Sequence, residues 1–119
     1  MTLREAALAA RHDLGKYVAM RVRWLPGNAG ADELRAALAA DLMRTRSGPG
    51  GDESACVLWA RLRVPLTAAG IEEIDVLVAD LAERAMRLDT MDLDGLRDTS
   101  LRALALGDAL KALVSRFPE

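Results

Sequence analysis

Leucine and alanine recur at three- and four-residue intervals through successive stretches of this chain, and turn-forming clusters separate those stretches. An apolar repeat of that period lines one face of an α-helix, at about 100° per residue, so the spacing predicts helices. The separators are Pro26-Gly27-Asn28, Ser47 to Asp52, Pro65 and Asp89 to Gly95. Composition agrees: 51% of the residues are apolar, yet only 3% are aromatic. A sheet draws on β-branched and aromatic side chains, whereas Ala and Leu suit closely packed helices. A chain of 119 residues can bury one core without disulfides or metal. The expected fold is all-α, a compact antiparallel bundle of four main helices plus one short helix. Residues 1–119 are expected to form a single domain with a flexible loop at about 47–52.

The first helix should open at Thr2-Leu3-Arg4-Glu5, which has the T-x-x-E spacing of a capping box, and run to about Leu25. Its buried stripe is expected to be Leu3, Ala7, Ala10, Leu14, Tyr17, Val18, Val22 and Leu25. Asp32 can cap a second helix with Leu34, Leu38 and Leu42 inward, ending near Arg46. Asp41 falls on that inward row and Arg21 falls inward on the first helix. They can form a buried ion pair, or the arginine can snorkel to the rim. A short helix over about Glu53 to Val64 turns Ala55, Leu58, Trp59 and Leu62 inward. A fourth, about Ile71 to Leu88, buries Ile71, Ile74, Leu77, Val78, Leu81, Ala85 and Leu88 and turns Glu73, Asp80 and Arg84 out. The fifth runs to about Arg116, with Leu96, Ala103, Gly107, Leu110, Val114 and Phe117 inward. Leu101 and Leu104 lie off its stripe, free to pack on the short helix or to form a dimer seam.

Several functions are disfavoured at the outset. The net charge is −2, with 16 basic and 18 acidic residues interspersed, which gives no electrostatic reason to expect nucleic acid or an anionic membrane as partner. Cys56 is the only cysteine, so neither an internal disulfide nor a Cys-based zinc site can form. Its place in an apolar helical run suggests an inert core residue. With no long uncharged apolar run and no signal-peptide core, the expected location is the cytoplasm. Ser47-Gly48-Pro49-Gly50-Gly51-Asp52 lacks the spacing of a phosphate-binding loop and reads as a linker. Asp89 to Gly95 looks like a calcium loop, but alignment on Gly95 puts Leu101 where the bidentate glutamate belongs, so its acids read as helix caps.

What remains is Arg11-His12-Asp13-Leu14-Gly15-Lys16, which holds the only histidine. His12 projects almost opposite the buried stripe, beside Glu5, Ala9, Lys16, Ala19 and Arg23, and is expected to be exposed. An exposed imidazole can accept a phosphoryl group when an acid orients the ring and a cation stands near the phosphoryl oxygens. Asp13 is adjacent, Lys16 lies one turn on, and Ala9, Gly15 and Ala19 leave the face open for docking.

The Arg-His-acid-Leu run resembles the phosphoacceptor helix of histidine-kinase dimerisation domains. It is also similar to histidine phosphotransfer domains, helical bundles whose acceptor motif reads His-x-Leu-Lys-Gly; here Gly15 and Lys16 stand in the reverse order. The resemblance implies a signalling protein rather than an enzyme, with His12 as acceptor, Asp13 as its acid neighbour and Lys16 as partner to the phosphoryl oxygens. It implies a kinase and an aspartate-bearing receiver domain as protein partners, and no cofactor. His12-Asp13 further resembles the signature of HD-type metal-dependent phosphohydrolases, but no second histidine is present to complete such a ligand set, and no metal is expected. The alternative is a non-catalytic helical interaction or dimerisation module, for which His12 is an ordinary surface residue.

Overall fold

The computed structural model describes residues 2–15, 21–42, 46–48, 51–53 and 55–118, and only the backbone of 46–48 and 51–53. Among the described residues five α-helices carry the fold: α1 (Leu3–Gly15), α2 (Ala31–Leu42), the short α3 (Ala55–Leu62), α4 (Glu72–Ala85) and α5 (Leu93–Ser115). Single 3-10 turns stand at Val22–Trp24 and Leu88–Thr90, with a longer one at Val64–Ala69. The described residues are therefore mainly helical, as expected, with one two-stranded ribbon among them. Among the described residues no helix is long and apolar enough to cross a membrane.

Local chemistry accounts for most of the boundaries. The Thr2 hydroxyl accepts the Glu5 N–H at 3.1 Å, the first half of the expected capping box. The Asp92 carboxylate accepts the Gly95 N–H at 2.8 Å and caps α5, so this acid is a cap. Asp32, by contrast, does not cap α2: it lies inside the first turn and pairs with Arg35 at 3.2 Å. Pro65 sits within the 3-10 turn that follows α3, where its missing N–H costs nothing. Gly70 then takes a left-handed conformation (φ 73°), which reverses the chain into α4.

Two expectations about the chain path are corrected. Helix one does not run unbroken to Leu25: Arg21 is in a turn, and Val22–Trp24 is a 3-10 turn. At that turn Asp41, fully buried on α2, accepts the backbone N–H of Arg21 (3.0 Å) and of Val22 (3.2 Å) through its carboxylate. Amides held by a carboxylate in this way are not available to an α-helical ladder. Asp41 and Arg21 do meet, but through the main chain of Arg21. The second correction concerns the linker. Arg46–Gly48 (β1) and Gly51–Glu53 (β2) pair antiparallel, with Gly48 opposite Gly51; glycine is a hairpin residue as much as a linker residue.

The core has two parts. The larger gathers α1, α3, α4 and α5 around Ala7, Leu14, Trp59, Ile74, Leu106 and Leu110. The smaller gathers Val22, Leu34, Leu38, Leu88 and Leu96 between α2, the two single 3-10 turns and the start of α5. Helix α5 packs against α1, α2 and α4 and so joins both parts. The inward rows of α2, α3, α4 and α5 fall where periodicity puts them, whereas Leu3 at the head of α1 is exposed.

Candidate functional site

The last described turn of α1 presents His12 to solvent while Leu14, two residues on, is fully buried. The helical offset of these two side chains is what a stripe of Ala7, Ala10 and Leu14 dictates once it faces the core. Asp13 is half-buried beside the histidine, and Ala9 is half-buried one turn earlier. Gly15 is open: a Cβ built there meets no atom within 4 Å. Lys16 and Ala19 lie outside the described residues. The structure thus brings His12, Asp13, Ala9 and Gly15 onto one short segment with an exposed imidazole. Among the described residues no group of three or more His, Cys, Asp and Glu side chains could hold a metal ion.

On the inner side of the same helix is an apolar pocket of about 320 Å³, lined by Leu14, Leu42, Cys56, Val78, Leu81 and Met86 among others. Cys56 is exposed at this pocket and is not the core residue that its apolar neighbours suggest: α3 buries Leu58 and Trp59 and turns Cys56 and Val57 out.

No protein-family model, no curated protein and no solved structure matches this chain.

Charged side chains expected to be mere solvated faces form two connected groups. Arg84 on α4 was expected to face out with Asp80, but its side chain is only 15% exposed. It bonds Asp80 (3.0 Å), Asp98 (2.9 Å) and the buried Thr99 hydroxyl (3.1 Å), and Arg102 reaches Asp80 and Asp98 at 3.2 Å each. Packing α4 on α5 brings these rows together, and the hydrogen bond from Arg102 is the main cause that lowers the Asp98 pKa. In the second group Asp75 on α4 receives a two-pronged bond from Arg63 (2.8 and 2.9 Å) and the indole N–H of Trp59 (2.8 Å). The Arg63 bond is the largest cause lowering the Asp75 carboxyl below its usual range, with burial opposing it and Trp59 assisting.

Sequence reading passed over Trp24. It closes the Val22–Trp24 turn and is 84% exposed, beside a groove of about 480 Å³ lined by Arg21, Leu25, Glu33, Ala36, Ala37 and Ala40. The available signal was a tryptophan immediately before Leu25-Pro26-Gly27, off the apolar row of its own segment.

Proposed function

We propose that this chain is a histidine phosphotransfer-like signalling protein, an antiparallel bundle of four main helices and one short one in which His12 carries a phosphoryl group between protein partners. The observation that carries this reading is the exposed imidazole on α1, with open space at Gly15 and the half-buried Asp13 next in sequence. An imidazole nitrogen attacks phosphorus on a donor, the bond to the donor's leaving group breaks, and an N–P bond forms. A carboxylate oxygen of a receiver domain then attacks phosphorus and the neutral imidazole leaves. Asp13 is placed to take the proton from the ring, and Lys16, by its spacing, to pair with the phosphoryl oxygens.

Intact-mass analysis after incubation with phosphoramidate tests this reading. Wild type gains one acid-labile phosphoryl group, and His12→Gln gains none while keeping its helical circular dichroism. A folded wild type that takes up no phosphoryl group, from phosphoramidate or from a panel of histidine kinases, overturns it.

The apolar pocket beneath α1 favours a second reading, a non-catalytic module that docks an aliphatic side chain of a partner helix. In that reading Ala82→Glu, which puts a charge at the pocket, abolishes partner binding and His12→Gln leaves it intact.

A further inference from the structure

The surface around Trp24 goes beyond the His12 reading and does not depend on it. Three features meet there. The first is a large exposed side chain: Trp24 borders the alanine-lined groove yet remains 84% exposed, so its ring does not fill that groove. Tryptophan is on average one of the most buried residues, and at interfaces it is among the commonest anchors.

The second feature is rigidity. The turn that carries Trp24 is held from below by the Asp41 carboxylate on the Arg21 and Val22 amides, and closed by Trp24 N–H to Arg21 O and Leu25 N–H to Val22 O, both 3.1 Å. A side chain presented on a fixed turn loses little freedom when it inserts into a partner.

The third is the charge at the groove. Arg21 and Glu33 both line it and both are exposed, so among the described residues the patch holds one charge of each sign beside one knob and one hole. A patch that carries both signs can face a copy of itself with each charge opposite its counter-charge, whereas a partner of a single charge sign would be repelled by one of the two. The apolar surface continues past Leu25 into a second groove, of about 320 Å³, whose rim includes Leu101 at 65% exposure.

We propose that the protein is a two-fold homodimer in which Trp24 of each copy inserts into the groove beside Ala36 and Ala40 of the other, with Arg21 facing the partner subunit's Glu33. The dimer joins the two copies through the α2 side of the fold. Leu101 lies at the edge of the contact, and the leucine singled out by sequence as seam material takes a peripheral place.

Sedimentation equilibrium of the full chain across a wide concentration range tests the proposal. Wild type sediments as a dimer. Trp24→Ser weakens association by about thirtyfold or more, the scale of losing an interface anchor, and Ala36→Arg, which fills the groove from an exposed position, does the same. Both variants keep wild-type circular dichroism, because neither site is in the core, and their urea midpoints no longer rise with protein concentration as the dimer's does. Arg21→Glu and Glu33→Arg each weaken the dimer by placing like charges opposite one another, and the double variant Arg21→Glu/Glu33→Arg restores it. A wild type that stays monomeric at all concentrations overturns the proposal. So does a dimer indifferent to Trp24→Ser and Ala36→Arg, or a charge swap that fails to restore association.

Discussion

Asp75 shows how much a single carboxylate can gather. It lies on α4, one turn from Ile71, and draws in Arg63 from the end of α3 and the indole of Trp59 from the core. Its folded-state pKa is lowered, so the ionised form stabilises the fold at pH values above the ordinary aspartate range. That contribution starts to fall as the pH drops below about 4 and is lost once the pH passes the lowered folded value. Urea unfolding of wild type and Asp75→Asn at pH 7 and at pH 3 reads this directly. The stability gap between the two proteins is expected to narrow on acidification, and a gap that widens would contradict the assignment. Arg63 itself was legible only as a basic residue near a helix end; its partner is twelve residues away and is identified by packing.

At the scale of elements, the chain's punctuation was largely readable. The helix of α5 begins where the acids of the last turn cluster, and its first orphan amides find Asp92. Asp92→Ala removes that acceptor and is expected to cost about 0.5–2 kcal/mol, seen as a lower urea midpoint with an unchanged slope. Helix α4 ends at Ala85 rather than at Leu88, and the chain continues through a turn into Leu88–Thr90. Leu88 is buried all the same, since Arg35 on α2 clamps the turn through the Leu88 and Met91 carbonyls at 3.0 and 2.8 Å. Periodicity reports which residues face the core, and it does so whether the backbone is α-helical or a tighter turn. This is why the buried row of α4 was right beyond the end of the helix, while the helix boundary was not.

At the scale of the whole molecule, the two core clusters meet along α5, and the smaller one rests on Asp41. This carboxylate sits among apolar residues and satisfies two main-chain amides at once, so it fixes where the segment from Arg21 to Leu25 lies against α2. Asp41→Ala leaves both amides without an acceptor and is expected to destabilise the fold by about 1–3 kcal/mol for each group so stranded, measured by urea unfolding. Its sequence position on the inward row of α2 announced a buried acid, but a carboxylate can be neutralised by a guanidinium or solvated by amides, and only the tertiary path decides which. The same holds for Cys56 and Trp24, whose exposure depends on what α3 and α2 pack against. Likewise Arg84 and Asp80 look like a free polar face until α5 is laid beside them. What the sequence by itself determined is the helical class, the inward rows of α2 to α5, the caps at Thr2 and Asp92, and an exposed His12, because each follows from interactions within a few residues of chain. Tertiary structure alone decided the turn at Val22–Trp24, the charged network between α4 and α5, and the surface at Trp24, because each is set by groups that meet only after the chain has folded.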